Sequence, residues 1–287
     1  MVAGSGAGSY EARCEVGGFA GELERLRAQF LLSWRQEARL LQWLGLQDGQ
    51  DVLELGSGPG YITLELLTLL PRSRIVAADV DREMLQYARS QILEPSREAL
   101  IGSRRERAHL VQTTIATPGL AKGSFDFAVA RLIFQHLHDP IACARETLQL
   151  LRPGGKLAII DIDAALWGIV QPVEQRLSPF YAKAARQQAV AGGDRFIGRR
   201  LWRILQRAGF VDLHLEAFVY HSDELGLAPF EPQMDPARLR RAVEEGYLTP
   251  DEFGMIEAGY QRFLASPDAY ILMVGLMACG SKPASPE

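Results

Sequence analysis

The chain has 287 residues, a formal charge of −4, 23% charged residues and 47% hydrophobic ones, the balance of an ordinary globular protein with room for one α/β domain and extra helices. That balance gives no electrostatic reason to expect nucleic acid or an anionic membrane as partner, and no apolar run approaches the roughly 20 residues of a membrane span. Cys14, Cys143 and Cys279 are widely spaced with no metal-ligand pattern, so reduced thiols and a cytoplasmic location are expected.

The opening "MVAGSGAGS" lacks the charged and apolar regions of a signal peptide and reads as a flexible tail over residues 1–18. Phe19, Leu23, Leu26, Phe30, Trp34, Ala38 and Leu41 recur at spacings of three and four, which predicts one long helix within an N-terminal cap, 19–50. From residue 51 short β-rich runs alternate with helical patterns. "DVLEL", "RIVAAD", "AHLVQT", "FDFAVARL" and "GKLAIID" read as strands. "YITLELLTLL", stopped by Pro71, "REMLQYARSQIL" and "DPIACARETLQLL" read as helices. Such alternation predicts a doubly wound, mostly parallel sheet of seven strands with helices on both faces.

After Asp163 the pattern loosens into helical insertions at about 164–195 and 222–267. Between them "IGRRLWRILQRAGF" reads as a helix stopped near Gly209, and "VDLHLEAFVYHS" as a strand. "AYILMVGLMACG" closes the sheet, the main domain spans 51–280, and 281–287 form a tail. The arginines of "GSRRER" and "GRRLWRILQR" are read as solvated basic faces.

Chemistry concentrates in "VLELGSGPGYITLELL". Gly56, Gly58 and Gly60 sit in a strand-to-helix turn where only glycine lets the backbone bend this sharply and approach a ligand closely. A dinucleotide fingerprint wants its third glycine one place later, where this chain has Tyr61. Asp79, closing the second strand beside Val80, is placed to accept from both hydroxyls of a ribose. A ribose of NAD and one of an adenosyl ligand satisfy it equally. Asp81, two residues on, is placed to cap the next helix.

"GSFDFAVARLIFQHLHDP" followed by "TLQLLRPGGKLAIIDID" breaks the tie. With the glycine loop and Asp79, these stretches resemble the class I S-adenosylmethionine-dependent methyltransferases, in particular the ubiquinone/menaquinone-biosynthesis-like group acting on small molecules. The resemblance implies a Rossmann-like fold and S-adenosylmethionine as cofactor. It implies that Glu54, Gly56, Ser57, Gly58 and Gly60 face the methionyl half, that Asp79 holds the ribose and that Met84 lies beside the adenine. Phe125-Asp126 and Arg152 to Gly155 match two further motifs. The family's acid after the third strand is missing here. Thr114 or its neighbour Thr113 stands there, so adenine recognition falls to an uncharged hydroxyl and the backbone around Ile115.

Methyl transfer from a sulfonium is an in-line displacement that asks mainly for alignment and exclusion of water. Arg131 ends the fourth strand at the cofactor edge and is expected among the cofactor-binding residues; catechol-type relatives carry a metal-binding acid there, so no metal is expected. The pair Asp161 and Asp163 alone is too small a set for a divalent ion. His136, just after the fourth strand, and Asp161, ending the fifth, match positions where some relatives place a base and the acid that orients it. Acceptor specificity is expected from the cap helix, with Phe30 and Trp34, and from "WGIVQ", "SPFYAK" and the second insertion. The expected acceptor is a small apolar or aromatic metabolite rather than nucleic acid, with oligomerisation left open. A nicotinamide oxidoreductase and a non-catalytic cofactor-binding protein are the rival readings.

Overall fold

The computed structural model describes residues 17–92, 106–166, 168–173 and 178–284. The opening tail with Cys14, Arg104 and Arg105, Trp167 of "WGIVQ", residues 174–177, the side chains of Phe180 and Tyr181, and the last three residues lie outside what is described.

Among the described residues eight strands form one sheet: β1 (Asp51–Leu55), β2 (Arg74–Asp79), β3 (Ala108–Gln112), β4 (Phe125–Arg131), β5 (Leu151–Ile162), β6 (Ile169–Gln171), β7 (Val211–His221) and β8 (Tyr270–Ser281). Along the sheet the order is β3-β2-β1-β4-β5-β8, with β6 and β7 both pairing β8. The first five are mutually parallel, and β8 runs antiparallel to β5, β6 and β7. The seven expected strands are all present, and the eighth is the three-residue β6, too short to leave a periodic trace.

The parallel strands are covered on both faces, which is why they read as near-continuous apolar runs. Along β1, Val52 faces one core while Leu53 and Leu55 face the other; along β4, Phe127 and Val129 oppose Ala128 and Ala130. Helices α1 (Gly18–Trp43) and α2 (Tyr61–Leu69) pack on the first face. On the other lie α4 (Pro140–Leu150), which follows α3 (Arg82–Ile92) and a short 3₁₀ turn at Phe134–His136, and α6 (Leu201–Ala208), which follows α5 (Ser178–Val190) and a second 3₁₀ turn at Ile197–Arg200. Leu201, Ile204, Leu205 and Ala208 form the buried stripe of α6, and Gly209 closes the helix in the left-handed conformation, as its position in the sequence predicts.

The second insertion comprises α7 (Ser222–Leu225), α8 (Glu231–Met234), a 3₁₀ turn (Pro236–Leu239), α9 (Arg240–Glu244) and α10 (Pro250–Leu264). Phe218, Tyr220 and Phe230 stack successively at 6.3 and 6.1 Å, joining β7 to this insertion. A capping box between Thr249 and Glu252 starts α10.

The basic runs do more than face solvent. Arg107 donates to the carbonyls of Leu67 and Leu70, closing the C-terminal end of α2. Arg199 grips Asp163, and Arg200 meets Asp194. Two motif pairs of the sequence also meet far from the glycine loop. Arg152 bridges Asp51 and Asp126, and Asp126 accepts from the Asp51 N–H at 2.8 Å, so these residues tie the amino-terminal edge of the sheet. A Cβ at Gly155 would stand 2.9 Å from the Arg152 carbonyl and 3.1 Å from that of Phe125, so the turn leaves room for glycine alone.

Candidate active site

The strand order reverses between β1 and β4, and the loops leaving their carboxyl ends open a crevice there. The glycine loop occupies it. Gly56 N–H and Ser57 N–H both donate to the Ala78 carbonyl, at 2.8 and 3.1 Å, which pins the loop to the end of β2. Gly60 has φ 78°, and a Cβ there would meet that of Ala88 at 2.7 Å, so its role is to let α2 pack on α3. Gly58 differs. It has φ 52° and nothing within 4 Å of a built Cβ, so this stretch of backbone faces open space.

Three polar groups ring that space. Ser57 is buried, and its Oγ has no hydrogen-bond partner among the described residues, an expensive state for a lone hydroxyl. Asp79 accepts from Gly58 N–H at 2.7 Å and Asp81 N–H at 2.8 Å, which aims the carboxylate at the loop. Each carboxylate oxygen retains further acceptor capacity. Glu54 accepts from Thr63 Oγ1 at 2.6 Å, and burial, reinforced by the Asp79 charge, pushes its pKa up to about 8. Burial also raises the pKa of Asp79. An acid held partly neutral next to open space is poised to gain from a cation placed beside it.

Further along the edge the residues separate. Asp81 caps α3 by accepting from Glu83 and Met84 N–H groups. Met84 is only 1% exposed, on the core stripe of α3 with Leu85, Ala88 and Ile92, whereas Val80 is 49% exposed. Val80 is therefore the accessible apolar surface next to Asp79. Thr114 Oγ1 accepts from Ala116 N–H at 3.3 Å, Thr113 Oγ1 donates to the Pro118 carbonyl, and Ile115 is buried.

Arg131 is not a surface cation. Its side chain is 11% exposed, and Nε pairs with Glu37 Oε2 at 2.7 Å. One Nη donates to the Gln29 carbonyl and to Ser33 Oγ, which in turn donates to Glu37. The cation at the end of β4 is thus committed to α1 and holds that helix across the crevice. Tyr61 hydroxyl adds a bond to the Leu23 carbonyl at 3.1 Å. Phe30, Trp34, Tyr61 and Tyr87 form an aromatic chain at 5.7–6.3 Å beside the loop.

The pair of His136 and Asp161 differs from the expectation. Asp161, wholly buried, accepts from the N–H and the side-chain amide of Gln135, both at 3.0 Å, and burial raises its pKa to about 7. The acid expected to orient the imidazole is turned to the neighbouring residue instead. The 3₁₀ turn explains it, because it rotates Gln135 inward under the end of β5. His136 Nδ1 lies 3.4 Å from Gln188 Nε2, and burial, then the charges of Arg195, Arg25 and Arg238, depress its pKa to about 3. Asp163 is bound by Arg199, which leaves no divalent pair with Asp161. Gln135 lies inside the FQHLHDP stretch beside His136, whereas Gln188 carries no motif signal and is brought to it by long-range folding alone.

A family model described as a methyltransferase domain matches residues 53–159. The ubiquinone/menaquinone biosynthesis C-methyltransferase of Hahella chejuensis is 27% identical over 118 residues, 41% of this chain and 45% of that protein. An arsenite methyltransferase of Aquipseudomonas alcaligenes is 30% identical over 175 residues, 59% of this chain and 46% of that one. The chain thus spans less than half the length of the curated relatives it matches. Among solved structures, a phosphoethanolamine N-methyltransferase 2 of Haemonchus contortus, in complex with phosphomonomethylethanolamine and S-adenosylhomocysteine, shares the fold. Its TM-score is 0.53 at 17% identity, covering 89% of this chain and 56% of that one. The domain match falls on the glycine loop, Asp79 and the core of strands β1 to β5, so this part of the chain is similar to a methyltransferase domain, and the chain shares the fold of a methyltransferase solved with S-adenosylhomocysteine.

Proposed function

We propose that the chain transfers a methyl group to a small metabolite with an apolar or aromatic body, and that the crevice over the glycine loop holds S-adenosylmethionine. The open backbone face of Gly58, backed by Asp79, carries this reading. S-adenosylmethionine supplies, when bound, a methyl on a sulfonium: the acceptor's electron pair forms the new bond, the carbon–sulfur bond breaks toward sulfur, and the acceptor sheds a proton where it carries one. The chain's residues bind and align. Ser57 Oγ and the loop N–H groups suit a carboxylate, Glu54 an ammonium, and Asp79 two ribose hydroxyls. Val80 offers apolar surface for the adenine, with Ile115 and the Thr114 hydroxyl at its edge. The aromatic chain of Phe30, Trp34 and Tyr61 excludes water and packs on the acceptor's body. His136 and Asp161 stand on the acceptor side, His136 as a neutral hydrogen-bonding ring and Asp161 as the support of the 3₁₀ turn.

Calorimetric titration with S-adenosylmethionine, S-adenosylhomocysteine and NAD tests the assignment. Both adenosyl ligands are expected to bind and NAD not to. Gly58→Val, which fills the open face, and Asp79→Ala, which removes charge-assisted bonds worth about 1.5–3 kcal/mol each, should weaken binding tenfold or more. Tighter binding of NAD, or unchanged affinity in both variants, contradicts it. A mass-spectrometric screen of metabolite extracts for the gain of one methyl would identify the acceptor.

A further inference from the structure

Among the described residues β7 pairs with β8 alone, so its other side is an edge of the sheet. Which backbone groups that edge shows follows from the ladder. Ile271 N–H donates to Ser222 Oγ at 3.0 Å, on the β7 side of β8. Backbone groups alternate in direction along a strand, so the odd-numbered residues of β8 turn to β7. Their partners are even-numbered: Cys279 pairs with His214, Met277 with Glu216 and Gly275 with Phe218. The N–H and C=O groups of Leu215, Ala217 and Val219 therefore point out of the sheet. Gln36 Nε2 of α1 reaches the Val219 carbonyl at 3.2 Å, as this direction requires.

Natural edges are commonly blocked by proline, lysine or a bulge. Residues 213–221 hold no proline and no lysine, and the shift of register between Val211 and His214 leaves the rest of the strand regular. Leu215 is 42% exposed, Val219 is 49% exposed, and Ala217 between them is exposed as well. These three share one face of the sheet. On the other face Phe218 and Tyr220 are buried in the core that α1 covers, and Glu216 is half-buried. Arg39 of α1 is exposed and lines a groove along the edge with Leu40, Phe218 and Val219. Glu224, in the same groove, lies 3.9 Å from Arg35. Neither Arg39 nor Glu216 has an ion-pair partner among the described residues.

We propose that a second copy of this chain docks on this edge, β7 against β7, antiparallel about a two-fold axis through Ala217. Such an axis, normal to the sheet, keeps each side chain on its own face and makes the contact self-complementary. Leu215 then stands opposite Val219 of the second copy, and Val219 opposite its Leu215, which closes one apolar strip. On the α1 face Glu216 stands opposite Phe218 of the second copy, where that copy's Arg39 lines the groove. The two unpaired charges thus meet twice. The outward N–H and C=O groups of Leu215, Ala217 and Val219 exchange bonds between the copies, and two sheets become one. One axis satisfies apolar strip, charge and backbone together, whereas a partner of other sequence would have to match each separately. The proposal is independent of the methyl-transfer reading.

Sedimentation equilibrium of the full chain from about 1 to about 200 µM tests it. A closed monomer–dimer equilibrium is expected, with Kd below about 50 µM and no larger species. Ala217→Pro removes an outward N–H and leaves the ladder to β8 intact; Leu215→Lys and Val219→Lys add a charge that the separate chain keeps in water. Each should raise Kd about tenfold or more, while the diluted chain keeps the circular dichroism of the parent. Arg39→Glu and Glu216→Arg should each weaken association, and the chain carrying both should return to within about threefold of the parent. A monomer throughout that range overturns the proposal. So does a dimer indifferent to Ala217→Pro and Val219→Lys, or a charge exchange that restores nothing. A chain that stays monomeric and takes a different protein on β7 overturns the second copy as occupant.

Discussion

His136 takes its character from what surrounds it. Its ring is buried beside the Gln188 amide, with the charges of Arg195, Arg25 and Arg238 acting on it, while the carboxylate of Asp161 is engaged by Gln135, so the neutral form holds far below neutrality, with a pKa of about 3. A ring that binds protons this weakly is a poor general base at pH 7. His136→Asn, which keeps a hydrogen-bonding group, is therefore expected to leave turnover within a few-fold. The pH profile of kcat/KM, which reports the free enzyme, should keep its shape between pH 5 and 8. A fall of a hundredfold or more with cofactor affinity intact would instead identify the ring as the base. The motif FQHLHDP made this histidine a candidate; nothing in it reveals that Arg25, Arg195 and Arg238 come from 111 residues before and 59 and 102 after.

The cap helix shows the same limit one level up. Its apolar stripe predicts α1 almost to its ends, at Gly18–Trp43, yet the most buried line includes polar Ser33 and Glu37 beside Phe30, Leu32 and Leu41. No motif marks Glu37 in the sequence, and only folding brings it 2.7 Å from Arg131, 94 positions away. With Ser33 and the Gln29 carbonyl completing the set, this near-dry cluster holds α1 over the crevice. Removing one partner of such a pair strands the other charge, which typically costs about 3–5 kcal/mol. Glu37→Met should accordingly lower unfolding free energy in urea by a few kcal/mol and expose α1 to limited proteolysis before the rest of the chain. Pairing it with Arg131→Met should recover much of that loss, because both charges are then gone. Equal stability of parent and Glu37→Met would show that α1 is held by its apolar contacts alone.

At the scale of the whole molecule, buried ionisable groups set how stability follows pH. Glu54 and Asp161 have folded pKa values raised to about 8 and about 7, and Asp79 is raised as well, each chiefly by burial. Between their ordinary and raised values the folded state binds more protons than the unfolded one, so these acids make stability fall as pH rises. His136 acts oppositely, since its folded pKa of about 3 lies below the ordinary 6.5 and stability from it is lost as pH falls below that value. From about pH 6.5 to 7 the histidine term is spent while Glu54 and Asp161 still act, so the decline should steepen there. Glu54→Gln keeps an acceptor for Thr63 and removes one titration, so its stability should fall less steeply between pH 6.5 and 8, by about 1 kcal/mol per pH unit. Urea unfolding at pH 5, 6.5 and 8 measures it, and identical slopes in parent and variant would remove Glu54 as the source. Bound S-adenosylmethionine, with its ammonium beside Glu54, should flatten the parent's curve in the same direction.

What the sequence determined by itself is the part written in short-range pattern. Strand-and-helix alternation, the glycines of the first turn, Asp79 at a strand end and Gly209 past a helix each act through their own backbone or near neighbours, and all are found where the pattern puts them. Strand β6 escaped because three residues carry no period. The tertiary structure alone decided which polar and charged groups meet: Arg131 with Glu37, Asp161 with Gln135, Arg152 with Asp51 and Asp126, and Gln188 with His136. An ion pair or a buried amide contact is set by separations of a few ångströms between residues far apart in the chain, and no local periodicity encodes it. The glycine-loop crevice is therefore legible in one dimension, and the charged and amide contacts around it exist only in three.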